Sequence, residues 1–77
     1  MTVTPAAPKV QFRHGRSLLF GSSVRARVID TLFEIGRSAD DAAALWTAAT
    51  TDAGPHGDRA RRVIELATDI RITVEAG

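Results

Sequence analysis

The chain has 77 residues, of which 44% are hydrophobic and 25% charged, with a net charge of +1. Such a length allows one domain that buries roughly 60% of its unfolded surface, and the composition lies at the globular average, outside the disordered range. No apolar run approaches the roughly 20 residues of a membrane-spanning helix, Met1-Thr2-Val3-Thr4-Pro5 has no basic leader, and the lack of cysteine removes disulfides and zinc–thiolate sites together. A small soluble cytoplasmic domain with no membrane partner is the expectation.

Residues 1–8, with Pro5 and Pro8 and no periodicity, read as a flexible N-terminal lead-in. Residues 9–77 read as a single small α+β domain. From Lys9 to Arg13 the chain alternates, with Val10 and Phe12 on one face and Lys9, Gln11 and Arg13 on the other. That is the period of a half-buried strand. Arg13-His14-Gly15-Arg16 supplies a tight turn, and a second short run follows in which Leu18 and Phe20 share a face, ended by Gly21. Residues 9–20 are therefore a predicted hairpin.

A helix capped by Ser22 or Ser23 comes next. Val24, Val28, Leu32 and Ile35 form its apolar stripe, which Ile29 and Phe33 widen to about half the circumference. So broad an arc predicts contact with more than one neighbour. Gly36 supplies the stop. Ser38-Ala39-Asp40-Asp41 has the spacing of a capping box and opens a helix to about Thr50, with Ala42, Leu45, Trp46 and Ala49 on its apolar face. Trp46 is the expected core anchor between these two helices. Thr51 to Gly57 reads as a loop by composition, after which Asp58 caps a third helix carrying Ala60, Val63, Ile64 and Ala67 on one stripe and an Arg61–Glu65 pair on the other. Ile70 to Glu75 alternates cleanly, as a strand does. Its predicted partner is the N-terminal run, or else the same strand of a second chain. The fold class that results is α+β, with three helices packed on a small two- or three-stranded antiparallel sheet.

Charge is distributed unevenly. Residues 1–37 carry six basic groups against Asp30 and Glu34, a balance of +4, whereas residues 38–77 carry four arginines against seven acids, a balance of −3. A basic half suits nucleic acid, and a basic half beside an acidic one also suits self-association. Nine arginines to one lysine, thirteen alanines and no asparagine or tyrosine point to a GC-rich coding sequence, as in an actinobacterial genome or its phages.

Catalytic chemistry finds little support. His14 and His56 lie in glycine-flanked polar turns, and two histidines without cysteine make a poor metal set. Asp52 and Asp58 read as turn and cap residues. No phosphate loop or paired-glycine motif is present. The expectation is a non-enzyme with no catalytic residues, no metal site and no cofactor. Arg59, Arg61 and Arg62 stand in the predicted first turn of the third helix, where the dipole disfavours each cation by about 0.3–1 kcal/mol. A bound anion offsets that penalty; so does neutralisation of a solvated arginine face by Asp58 and Glu65.

Residues 15–50 carry a resemblance. Phe20, Val24, Val28 and Leu32 recur at helical spacing, then come Gly36-Arg37-Ser38 and a second helix with Ala42, Ala43 and Trp46 inward. This stretch resembles the ribbon-helix-helix DNA-binding proteins. The resemblance implies that two chains pair strands into a ribbon that enters the major groove with polar side chains toward the bases. By spacing, that strand is Arg16-Ser17-Leu18-Leu19-Phe20, which turns Ser17 and Leu19 to DNA; the more polar ribbon, with Lys9, Gln11 and Arg13 outward, lies several residues earlier. The sequence therefore predicts a dimeric nucleic-acid-binding regulator of the repressor or antitoxin kind, using Lys9, Gln11, Arg13, Arg16 and Arg37, with Arg59, Arg61 and Arg62 as an anion site. The alternative is a protein-interaction or inhibitor module, phage-encoded in one version, whose broad apolar face and split charge bind a partner protein.

Overall fold

The structure, a computed structural model, describes residues 9–75; the predicted N-terminal lead-in lies outside them. Six elements follow in order: β1 (Lys9–His14), β2 (Ser17–Leu19), α1 (Gly21–Glu34), α2 (Ala39–Thr51), α3 (Pro55–Thr68) and β3 (Ile70–Glu75). The three strands form an antiparallel sheet in the order β2-β1-β3, so the first strand is the central one. The α+β fold and the pairing of the C-terminal strand with the N-terminal one are as the sequence predicts.

Period-2 patterning sets the two sheet faces. Val10 lies opposite Val74, and Phe12 lies between Leu19 and Ile72. These residues face the helices, with Phe12 and Ile72 buried and Val10, Leu19 and Val74 packed against the core. The hairpin turn is Gly15-Arg16, between the paired His14 and Ser17. Gly15 has φ +61°, as the first central residue of a II′ turn requires. Leu19, not Leu18 and Phe20, is the inward residue of the second strand: Leu18 is 62% and Phe20 83% exposed. A two-residue turn fixes the register, and that register leaves Leu18 beside Arg13 on the outer face.

The helices supply the rest of the core. Val24, Val28 and Leu32 are buried on α1, Ala42 and Ala49 on α2, and Ala60 and Ile64 on α3. Each fully buried Leu, Ile or Val contributes about 1.5–3 kcal/mol. The stripe on α1 is narrower than predicted, because Phe33 and Ile35 stay 62% and 60% exposed. Its start also differs. Phe20 is the N-cap residue with no side-chain cap, and Ser23 instead donates its hydroxyl to the Phe20 carbonyl at 3.2 Å. The end of α1 follows the glycine signal: Gly36, at φ +102°, donates to Phe33 O and Arg37 donates to Leu32 O, both at 3.1 Å. Those two bonds make a Schellman motif. Ser38 accepts from the Asp41 N–H at 3.1 Å, as a capping serine does; the Asp41 carboxylate turns instead to Arg37, at 2.7 Å.

Trp46 is half-buried at the edge of the core and stacks on Phe12, with ring centroids 5.4 Å apart and planes 7° from parallel. It ties α2 to the sheet, which corrects the expectation of an anchor between the first two helices. Trp46→Ala is expected to destabilise by about 2–3 kcal/mol, below the 3–5 kcal/mol of a fully buried aromatic. Urea unfolding of the variant measures this; a loss under about 0.5 kcal/mol would remove the stack from the account.

Candidate nucleic-acid interface

The outer face of the sheet carries what the alternation turns away from the core. Lys9, Gln11 and Arg13 of β1 lie opposite Glu75, Thr73 and Arg71 of β3, and Arg13 also faces Leu18 of β2. All seven residues are exposed, and the buried apolar side chains of all three helices belong to the core on the other face. Of the five residues predicted to meet nucleic acid, three share this face, Lys9, Gln11 and Arg13, and Arg16 stands in the hairpin turn that adjoins it. Arg37 does not join them. It sits at the α1–α2 turn and pairs with Asp41 at 2.7 Å.

Charge is concentrated at the turn end. Lys9 is balanced across the strands by Glu75, but Arg13 lies directly opposite Arg71. Like charges so placed destabilise a sheet by tenths of a kcal/mol. Arg71 approaches Glu65 only at 3.5 Å with both side chains substantially exposed, a contact too weak to offset much. Glu65 and Asp69 line the same depression as Arg13 and Arg71 and offset part of the repulsion; an anion over the row would offset the rest. Arg71 and Thr73 were not among the predicted interface residues. The alternation of residues 70–75 together with the antiparallel pairing was the signal that places them there.

The predicted anion site at the third helix is different in kind. α3 begins three residues before Asp58, with Gly54 as N-cap and Pro55 at its first position, where proline's fixed φ suits a helix start. Arg59, Arg61 and Arg62 consequently fall beyond the first turn, and Asp58 is not the cap. Gly54 N–H donates to Asp52 Oδ1 at 2.7 Å and closes the link. Arg61 is only 8% exposed and donates to Asp52 O at 2.5 Å and Ala49 O at 3.2 Å, and to the Asp58 carboxylate. It satisfies carbonyls left over at the C-terminal end of α2, where the dipole favours a cation. The side chain is thus committed to structure, and the predicted Arg61–Glu65 pair is not made. Arg59 and Arg62 remain exposed.

His14 and His56 are both exposed, and among the described residues no three His, Cys, Asp or Glu side chains gather as a metal site would need. No described helix is long and apolar enough to cross a membrane.

No family model, curated protein or solved structure matches this chain.

Proposed function

We propose that this chain is a small, non-enzymatic, cofactor-free DNA-binding regulator of the repressor or antitoxin kind, acting as a cytoplasmic homodimer. The observation that carries the reading is the open sheet face with its adjoining turn, where Lys9, Gln11, Arg13, Arg16, Arg71 and Thr73 stand together. Cations on such a face contact phosphates, while Gln11 and Thr73 offer hydrogen bonds to base edges. The resemblance to ribbon-helix-helix proteins supports the same reading, since β2, α1, the Gly36 turn and α2 follow one another in that order. Because β1 already has strands on both sides, pairing with a second copy falls to a sheet edge. The uncharged β2 edge is the candidate, for nothing on Ser17, Leu18 or Leu19 opposes pairing. Pairing there would join two outer faces into one basic surface.

Duplex binding measured against salt tests this. With Lys9, Arg13, Arg16 and Arg71 on phosphates, log K falls with log salt at a slope of about −3.6 per protomer. Arg13→Ala should reduce that slope by about 1 and leave the fold intact, since its side chain is exposed. Absence of binding at about 50 mM salt would overturn the reading.

A second reading has its own support. Phe20, Phe33, Ile35 and Leu66 are 83%, 62%, 60% and 83% exposed, a large apolar display for so small a domain. A protein-interaction or inhibitor module would cover these residues with a partner. Failure of duplex binding, with retention of the fold, leaves this reading in front.

A further inference from the structure

The sheet has two edges: β2, proposed above for the dimer, and β3. The open side of β3 follows from the hairpin. A two-residue turn makes His14 and Ser17 a hydrogen-bonded pair, so the backbone groups of Phe12 and His14 point to β2. Those of Lys9, Gln11 and Arg13 then point to β3, and their partners Glu75, Thr73 and Arg71 point back. Ile70, Ile72 and Val74 are left to turn their N–H and C=O groups outward from the sheet. Ile70 N–H accordingly donates to Thr68 Oγ1, at 3.1 Å, rather than to β1. Among the described residues, no backbone group outside the β1–β3 ladder bonds to Ile72 or Val74.

A strand edge with unpaired N–H and C=O groups accepts another strand, and charged side chains on the edge ordinarily oppose this. β3 carries Arg71 and Glu75, but their placement favours one partner. They flank Thr73 symmetrically, with Ile72 and Val74 between. In an antiparallel pair of β3 strands with a two-fold axis at Thr73, Arg71 meets Glu75 of the second copy, Ile72 meets its Val74, and Thr73 meets Thr73. Symmetry repeats each match. The hydrogen-bonding parity agrees: Ile72 and Val74, whose groups face outward, become the hydrogen-bonded pair. The Arg71–Glu75 and Thr73–Thr73 matches fall at non-hydrogen-bonded positions, where Cα atoms lie about 4.5 Å apart and side chains are closest. Opposite charges and paired threonines there are both favourable. Centring the axis on Ile72 or Val74 instead sets Arg71 or Glu75 against Thr73 and loses the ion pairs.

We infer that the outer edge of β3 is a self-association surface, which takes the β3 strand of a second copy of this chain in the register centred on Thr73. Ile72 and Val74 exchange N–H···O=C bonds across the axis. Val74, half-buried in one copy, gains cover from Ile72 of the other. Glu75 of the second copy brings a carboxylate to Arg71, which lies opposite Arg13 within its own chain. The axis runs perpendicular to the sheet, so the two outer faces lie on the same side and become continuous. This surface is separate from the β2 edge, and a chain that pairs through both lines up its copies in a row. The inference does not rest on the DNA-binding reading: it is measured without nucleic acid, and the two can fail separately.

Sedimentation of the full chain between about 10 μM and 1 mM tests it, and the mean mass is expected to rise over that range. Arg71→Glu sets carboxylate against carboxylate at both ends of the register, and Glu75→Arg sets guanidinium against guanidinium. Each should weaken association by about tenfold or more. Both side chains are exposed, and circular dichroism checks that the fold is kept. An equimolar mixture of the two variants restores both opposite-charge matches, as does the double variant, and each should associate within about threefold of the parent. Amide hydrogen exchange reads the register: the Ile72 and Val74 amides should slow about fivefold at a chain concentration about ten times the Kd. A mass constant up to about 1 mM would overturn the inference. So would single variants that associate like the parent, as pairing through β2 alone would give. A mixture no better than its components, or unchanged exchange at Ile72 and Val74, would overturn it equally.

Discussion

Deleting residues 70–77 leaves a chain that does not fold. Among the described residues, β3 alone pairs along the whole of β1, from Lys9–Glu75 to His14–Ile70. Without it the sheet is reduced to a hairpin with three paired positions, which is not stable alone in water. The deletion also removes Ile70 and Ile72, 0% and 4% exposed. Their burial contributes about 3–6 kcal/mol together, comparable with the roughly 4–12 kcal/mol that stabilises a domain of this size. Far-UV circular dichroism and urea titration read the result directly. Ile72→Ala provides a graded version, with an expected loss of about 2–4 kcal/mol and a transition that remains cooperative. A cooperative transition in the deleted chain would show that the strand is dispensable and that its place is at an interface between copies.

The elements most legible in the sequence were those set by short-range rules. Alternation located β1 and β3, and their shared apolar parity predicted the pairing that the register Val10–Val74 and Phe12–Ile72 displays. Gly36 and Ser38 marked the end of one helix and the start of the next, since a positive φ and an N-cap oxygen are local requirements. The start of α3 was less legible. Gly54-Pro55-His56-Gly57 has the composition of a loop, yet Pro55 at the first helical position and the Asp52 side chain on the Gly54 amide make it a helix entry. Composition alone does not distinguish the two.

The candidate interface was legible in part for the same reason. Lys9, Gln11 and Arg13 announce an outward face by period alone, but Arg71 and Thr73 join them only once the strands are paired in register. Arg37 and Arg61 belong to the basic composition in the sequence and to ion pairs or carbonyls in the fold. Charge counts do not say which arginines are spent within the chain. Alanines were ambiguous as well, because on a helix face they read equally as core: Ala42 and Ala49 are buried, while Ala44 and Ala48 line a shallow surface groove between α2 and α3.

Gly57→Ala is expected to destabilise the domain by about 3–5 kcal/mol, lowering the melting temperature by roughly 12–40 °C. The direction is opposite to helix propensity, on which alanine gains about 1 kcal/mol over glycine in a helix interior. Gly57 is the third residue of α3 and is buried. A methyl group there would overlap the Asp52 carbonyl oxygen, come within 2.7 Å of its carbon and lie 2.8 Å from Arg61 Nη1. None of these atoms can move freely. The Asp52 carbonyl accepts from Arg61 at 2.5 Å, and the Asp52 side chain holds the Gly54 amide at 2.7 Å. Pushing the carbonyl aside strains the link by about 1–3 kcal/mol. It also deprives a buried guanidinium of an acceptor, a loss of about 1–3 kcal/mol or more for a charged group. If this coupling is the cause, the effects of Gly57→Ala and Arg61→Met are not additive. Once Arg61 is gone, the Asp52 carbonyl is free to shift, and the loss in the double variant should be at least about 1 kcal/mol smaller than the sum of the single losses. Thermal and urea unfolding of the three variants decide the matter. A Gly57→Ala chain within about 0.5 kcal/mol of the parent, or strict additivity with Arg61→Met, would dismiss the close approach of the α2–α3 link as the reason for glycine at this position.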